Sequence, residues 1–556
     1  MGDQVEFIYN TRLRSRRVSA DFYSRLTNAL LNDMQQTNRD EDEEGEEIDP
    51  FDTGDHDDAE YVPNDDASDI ENDVITIEPN EIFDSDEDIE DETDQVAGQC
   101  DDGFFYGKDG TKWSKNEPSA VIRTRQHNIM RFRFGPRQQN AIPIEVFKLF
   151  FSPNISFIIV TQTNRHGKEA TRKWNAENPD SKPRVWNDLT STELDAFVGI
   201  LLAAGLSHNN MQTPEVLWLS DALPIFRAAM SYRRFKQLSR YIRFDDSRTR
   251  EFRQQSDKAA PIRDIWNFLN ENLANNYDAH DVVTIDEQLF PYRGRTKFTQ
   301  YIPSKPAKYG IKVWWACDAK TKYPLQGKLY TGKEGTNREV NQGENVLMQL
   351  SNRYSMSGRT IVADNFFVTL DAAKRLAVIG LALVGTIRSN KRCLPSEMKK
   401  HDSRPVLSSL FGFHENVSIC SYVPKKNRAV NLLSTVHYSK FCEGEAKKPE
   451  AIMFYNANKA GVDSMDQMVS HFTTKRPTRR WTYAFFCNML DIMALAAYCI
   501  CKEVDGYEKN SARRTFLNNL SNTLDPCKYR KPDGRYSRHK QERVSLSFTR
   551  KRKSAP

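Results

Sequence analysis

The chain has 556 residues, of which 38% are apolar and 11% aromatic, and its formal net charge is only +3. This composition excludes a wholly disordered polymer and a small disulfide-stapled domain, and the length allows two or three domains. The near-neutral total hides an asymmetry: Asp40 to Asp102 holds 30 acidic residues and no Lys or Arg, so the other 493 residues carry a net +33, a basic body expected to meet a polyanion such as nucleic acid.

In chain order, residues 1–39 are polar and partly basic (RLRSRR), with one short helix expected near Ala20–Leu31. The acidic run 40–102 has too little apolar surface to offset chain entropy and is expected to be a disordered arm, so that residues 1–103 form a region of their own. Ile75, Ile77, Ile82, Phe83 and Ile89 within it offer a segment for a protein partner; a solubilising tail is the plainer alternative. The first residues lack an apolar signal segment and do not fit a myristoylation signal. The nine cysteines include no C-x-x-C pair, which points to a reducing compartment.

Residues 104–280 read as a short extended start followed by helices. Glu145–Thr163 is expected as two short helices split at Pro153. Thr192-Glu-Leu-Asp195 approximates a capping box before AFVGILLAAGL, and Ser231–Phe244 and Ile262–Tyr277 are further helices. After His280 the texture becomes β-rich: Val282–Phe290, Gly310–Cys317 and Pro324–Tyr330 read as strands. A helix over Gly343–Tyr354, a strand over Arg359–Asn365, a helix over Phe366–Val378 and a strand over Leu381–Ile387 follow. Residues 388–456 read as an irregular, Lys-rich insertion with short strands, and Val462–Phe472 and Trp481–Cys501 as helices. The last is long enough to cross a bilayer, but an ionised Asp491 near its middle costs about 2.5–3.5 kcal/mol even on the lenient insertion scale. A buried helix and no membrane association are expected. The order of elements fits a mixed α/β sheet with helices on its faces, the layout of an RNase H-like domain.

Four aspartates stand out. Asp286 lies inside the apolar strand VVTIDEQLF, Asp364 ends TIVADN, and Asp463 and Asp466 share one face of the helix GVDSMDQM. A carboxylate on a buried strand must be protonated, paired or bound to a cation. If the strands of Asp286 and Asp364 are neighbours, a hard divalent ion, Mg²⁺ or Mn²⁺, relieves their repulsion. Two such ions about 3.5–4 Å apart can activate water and stabilise a leaving oxygen in phosphoryl transfer. The alternative is that each Asp caps a helix or pairs with a nearby Lys or Arg.

TIDEQLFPYRGRTKFTQYIPSKPAKYGIKVWWACD resembles the first catalytic block of piggyBac-type transposases, ADNFFVTLDAAKRL the second and NANKAGVDSMDQM the third. YGKDGTKW, TELDAFVGILLAAG and FRAAMSYRRFKQLSRYIRF match in order upstream, so the likeness spans roughly residues 104–525. The resemblance implies a nuclear DDE/D recombinase with an RNase H-like catalytic domain in two parts, 281–390 and 457–525. These would be interrupted by an insertion domain, 391–456, and preceded by a largely helical dimerisation and DNA-binding region, 104–280. It implies Asp286, Asp364 and Asp463 as catalytic residues holding two Mg²⁺ or Mn²⁺ ions, with Asp466 as an additional metal ligand. It also implies a homodimer that cuts and joins double-stranded DNA at TTAA sites through a hairpin.

The C-terminus departs from the family. Relatives often end in a zinc-binding cysteine/histidine module; here Cys527 and His539 cannot make a four-coordinate site, and no structural zinc is expected. The tail 526–556 is basic instead, with 11 Lys/Arg and 2 acids from Cys527 onward. Its cluster Arg550, Lys551, Arg552 and Lys553 reads as a nuclear import signal or nucleic-acid patch. Lys305, Lys308 and Lys312 in KPAKYGIK, with Arg388, Lys475, Arg479 and Arg480, are the expected DNA contacts, while Trp481 is expected in the core. GKLYTGKE (327–334) nearly spells a phosphate-binding loop, but Glu334 stands where a hydroxyl must hold Mg²⁺. The function readings are therefore a metal-dependent transposase or, given the altered C-terminus and acidic arm, a domesticated DNA-binding or chromatin protein that does not cut.

Overall fold

A computed structural model describes residues 102–118, 132–139, 141–294, 296–303, 305–332, 340–399, 404–426, 428–505 and 512–524. The acidic arm, the helix expected near residues 20–31, the basic tail and the import cluster lie outside the described residues.

The described chain opens with β1 (Phe104–Tyr106) and β2 (Lys112–Ser114). A further short strand, β3 (Gly135–Pro136), pairs with β4 (Tyr277–Asp278). Between β3 and β4 lie helices α1 (Pro143–Phe150), α2 (Pro153–Glu177), α3 (Ser191–Leu206), α4 (Pro214–Leu217), α5 (Pro224–Ala229), α6 (Tyr232–Tyr241), α7 (Ser247–Gln254) and α8 (Ala260–Asn276). Pro153 starts α2 as expected, but α2 is long rather than short. Its inward stripe continues through Thr163, Gly167 and Thr171, four residues apart, so the period is carried by small residues instead of apolar ones. At Gly167 any Cβ would meet the Trp186 ring at 2.2 Å. The cap of α3 is Thr190 rather than Thr192: Thr190 accepts the Glu193 N–H at 3.1 Å. The Glu193 side chain is taken by Arg234, at 2.6 and 2.8 Å.

Among the described residues, the second half supplies nine strands of an eleven-stranded sheet that β1 and β2 complete. Its elements in order are β5 (Val282–Pro291), β6 (Thr299–Tyr301), β7 (Tyr309–Asp318), β8 (Pro324–Leu329), α9 (Gln342–Ser351), β9 (Thr360–Ala363), α10 (Leu370–Val378) and β10 (Ala382–Thr386). Then come β11 (Ser409–His414), β12 (Val417–Lys425), β13 (Arg428–Ser434), and a small hairpin of β14 (Cys442–Glu443) and β15 (Lys448–Pro449). Helices α11 (Glu450–Asn458), α12 (Gly461–His471), α13 (Trp481–Asp505) and α14 (Ala512–Leu524) complete the described chain. The strand order is β1-β2-β11-β12-β13-β10-β9-β5-β7-β6, with β8 also on β7. β5, β9 and β10 run parallel; the flanking pairs are antiparallel. This is a mixed α/β architecture. The segment read as an irregular insertion is more regular than expected, because β11–β13 add to the main sheet through β13 on β10.

Alternation along the strands covers both faces. Val282, Val362, Val384, Cys420 and Leu432 pack with Ala451 and Ile452 of α11, while their neighbours Val283, Ile361, Leu383, Ile419 and Leu433 join the larger core. The apolar helix α13 has the length and composition to cross a membrane, yet that whole stretch is enclosed by protein. Asp491, the residue that argued against a bilayer, accepts the Thr473 hydroxyl at 2.6 Å and the Thr474 N–H at 2.9 Å. Burial nonetheless raises its carboxyl to about 7. Trp481 packs edge-on against Phe298 at 5.1 Å, the core placement expected for it. The P-loop-like stretch begins inside β8, a strand rather than a phosphate-cradling turn, and residues 333–339 are not described.

Candidate active site

The register of the parallel strands decides where the first two aspartates fall. Ile285 makes the last pair with Ala363, so the next residues, Asp286, which continues in β5 opposite Trp315 of β7, and Asp364, just past β9, come side by side. Asp364 stands at the end of β9, where the chain turns, and the Phe366 N–H donates to its Oδ1 at 3.0 Å. The Glu287 N–H donates to Asp286 Oδ1 at 2.8 Å. Burial, reinforced by Asp364 and Glu287, raises the Asp286 carboxyl well above the usual range. Burial and Glu287 raise Asp364, against smaller pulls from Arg388 and Lys312. Two carboxyls at adjacent register each resist ionisation, because Lys305, Arg388 and Lys312 offset burial and mutual repulsion only in part.

Helix α12 brings the third block onto the same face of β5. Its first residue, Gly461, allows contact closer than any side chain would: a Cβ there would lie 2.5 Å from Thr284 Oγ1. That hydroxyl donates to the Asn458 carbonyl at 2.8 Å, which ties the end of α11 to the strand. Gly461→Val is therefore expected to push α12 off the sheet, costing about 1–3 kcal/mol by overpacking. Thermal unfolding checks this; an unchanged midpoint would show that the close approach does not hold the helix.

Asp463 is the outlying member of the set, with 64% of its side chain exposed. Lys305 bridges it to the strand: its Nζ lies 3.8 Å from Asp463 Oδ1 and donates to the Glu287 carbonyl at 3.2 Å. Burial alone would lower the Lys305 ammonium, but Glu287, Asp286, Asp463 and Asp466 outweigh it and raise its pKa. Tyr455 feels the same set: burial, then Asp364, Asp286 and Asp463, push its hydroxyl up to about 12. The three aspartates thus share one neighbourhood. Among the described residues, however, no three His, Cys, Asp or Glu side chains form a group tight enough to hold an ion unaided. Asp466 is placed differently again, with its Oδ1 accepting from Gln288 Nε2 at 2.7 Å.

The expected DNA contacts divide by surroundings. Lys308 and Arg479 are exposed. Lys312 is nearly buried, 3.3 Å from Glu287 and close to the Trp314 and Phe366 rings. Lys475 is half-buried over the Phe290 ring, and burial lowers its pKa. Arg388 is partly buried near Asp364. Arg480 departs from the expected role. Its guanidinium donates to the carbonyls of Ser239 and Arg240, both at 2.9 Å, and of Ile242, and so closes the C-terminal end of α6. Sequence reasoning missed Gln288 and Glu287, whose contacts come from strand pairing and helix docking rather than from local pattern.

Residues 142–498 match a family model described as Transposase IS4. The Homo sapiens PiggyBac transposable element-derived protein 2 is 22% identical over 382 residues, covering 64% of this chain and 60% of that protein. The Homo sapiens PiggyBac transposable element-derived protein 3 is 23% identical over 364 residues, covering 61% and 58%. The chain thus spans about three fifths of the length of these curated relatives. A cryo-EM structure of a piggyBac transposase synaptic complex with hairpin DNA is similar at TM-score 0.67 and 33% identity, covering 75% of this chain and 87% of that one.

Proposed function

The chain belongs to the piggyBac-type Transposase IS4 family, and from that premise we propose that it is a DNA transposase cutting and joining strands at TTAA sites by a DDE/D mechanism. The observation that carries the proposal is the parallel register that sets Asp286, within β5, beside Asp364 at the end of β9. The donor set fits divalent cations: hard carboxylate oxygens, two of them on carboxyls that nearby cations offset only in part, with a third carboxylate on the facing helix. Asp286, Asp364 and Asp463 would hold Mg²⁺ or Mn²⁺, two per site. Bound cations would supply Lewis acidity at the phosphate and lower the pKa of the attacking water.

The chain's own groups do the rest. Asp286 is fixed within β5 by its pairing with Trp315 of β7, and Asp364 is fixed where β9 ends beside it. Asp463 completes it from α12, and Lys305 offers its ammonium beside the phosphate path. The parallel strands β10, β9 and β5, continued by antiparallel β7, support an RNase H-like catalytic domain formed from 281–390 and 457–525. Residues 391–456 are then its insertion and 104–280 a helical dimerisation and DNA-binding region. Partners would be double-stranded DNA, as transposon ends and target, and a second copy of the chain, in the nucleus. The acidic arm is left for a protein partner.

The test is a plasmid carrying TTAA-flanked inverted repeats, taken from beside the coding sequence where such repeats exist and otherwise from a related element, incubated with purified chain. Mg²⁺-dependent double-strand breaks with hairpin ends at TTAA support the proposal; no product, with DNA binding retained, supports the non-cutting DNA-binding or chromatin reading that the names of the human relatives favour. Salt dependence separates the cations. Lys308→Ala is expected to reduce the slope of log affinity against log salt by about 1. Arg480→Ala is expected to leave the slope unchanged and lower the unfolding temperature, since its donors serve α6. Equal slopes for Lys308→Ala and wild type would remove Lys308 from the interface.

A further inference from the structure

We propose that Gln288 is a positioning residue: its amide pins Asp466 and thereby fixes the helix that presents Asp463 to the Asp286–Asp364 pair. The inference rests on the functional reading above, and it gives Asp466 a role other than cation ligand.

Gln288 lies two residues beyond Asp286 on the same face of β5 and is only 1% exposed. Its Oε1 accepts from Trp315 Nε1 at 3.0 Å and from Asn488 Nδ2 at 3.3 Å. Its Nε2 donates to Asp466 Oδ1 at 2.7 Å and to Asn488 Oδ1 at 3.4 Å. An indole N–H can only donate, so Trp315 fixes which end of the amide is oxygen. The other end must then present its two N–H groups to Asp466 and Asn488, both of which accept. A side chain of this length carrying one acceptor and two donors is what the site calls for. Leu would leave Asp466, Asn488 and Trp315 with buried, unmatched polar atoms. β5, β7, α12 and α13 thus converge on one amide. Asp466 and Asp463 are three residues apart on α12, so releasing the first lets the second drift from the pair. An Asp466 oxygen already occupied by a neutral amide suits a positioning acceptor better than a cation ligand.

The test measures Mn²⁺ binding by electron paramagnetic resonance and strand cleavage on the full chain. Asp466→Asn keeps an acceptor oxygen for Gln288, and is expected to hold Mn²⁺ within about threefold of wild type. Gln288→Leu and Asp466→Leu are each expected to lose about 10–100-fold in affinity or rate, and the double variant no more than the worse single. The proposal is overturned if Asp466→Asn loses as much Mn²⁺ affinity as Asp364→Asn, or if the two Leu variants add. Should Gln288→Leu fail to unfold cooperatively, Asp466→Asn decides alone. Unchanged Mn²⁺ binding in Asp364→Asn would instead remove the reading of the metal site. The Gln288–Asp466 coupling would still be read from the unfolding temperatures of the same variants.

Discussion

Asp364→Asn is expected to abolish Mg²⁺-dependent strand cleavage, by on the order of a thousandfold or more, while making the metal-free chain more stable at neutral pH. Both effects follow from one geometry. Asp364 ends β9 beside Asp286, partly out of water, and its carboxyl is raised by burial and by Glu287. Ionising it in the folded chain costs free energy that is not required in the unfolded chain. Asn keeps the shape and can still accept the Phe366 N–H through its carbonyl oxygen, but it carries no charge to repel Asp286 or to bind a cation. Stability surrendered for activity is the expected trade at such a site. Cleavage assays and thermal unfolding of one preparation check it. A variant that cuts like wild type excludes Asp364 from the chemistry, and one that is dead but less stable contradicts the electrostatic account.

The second large effect is a coupling between pH, metal and stability. Asp286 and Asp364 both have folded pKa values above their unfolded ones. The stability they contribute is therefore full below the unfolded carboxylate range, about 3.9, and is lost as pH rises through the folded values. In EDTA this pair should make the chain less stable at neutral pH than in mild acid. Mn²⁺ reverses the trend, because a cation that binds only the folded state stabilises by about 2.7 kcal/mol at a hundredfold its Kd and competes with protons for the same oxygens. Unfolding temperatures across pH, with EDTA and with MnCl₂, measure this. Subtracting the same curves for Asp286→Asn/Asp364→Asn isolates the pair from other titrating groups, among them His280, which Asp318 and Glu503 hold protonated to about 9 against the opposing effect of burial. A wild-type curve that parallels the double variant in both conditions would contradict the coupling.

Much of the fold and of the site is legible in the amino-acid sequence. The β-rich runs around Asp286 and Asp364, the helices around Asp463 and along α13, and the alternation of strands with helices all follow from local periodicity, which side-chain burial on a sheet or helix face enforces. The likeness to three ordered transposase blocks ranks the four aspartates above the remaining acids. What stays hidden depends on contacts distant in sequence. The length of α2 rests on an inward stripe of Thr163, Gly167 and Thr171, with Gly167 against Trp186, which no apolar count detects. The strands β11–β13 look irregular because they bury polar residues, among them Ser418, Ser421, Asn431 and Ser434, which break the apolar pattern. Arg480 and Lys308 are alike in sequence, but only the former meets the carbonyl end of a helix. Gln288 carries no signal at all, since its importance lies in Trp315, Asn488 and Asp466 meeting it from three other elements.

The proposed chemistry requires carboxyls at positions 286, 364 and 463 to share divalent cations. Anomalous scattering from crystals of the chain grown with MnCl₂ and DNA tests it most directly. The expected result is two peaks about 3.5–4 Å apart, each within about 2.0–2.6 Å of oxygens from Asp286, Asp364 or Asp463. Mn²⁺ bound elsewhere, with these three side chains paired only to protein cations such as Lys305, would contradict it.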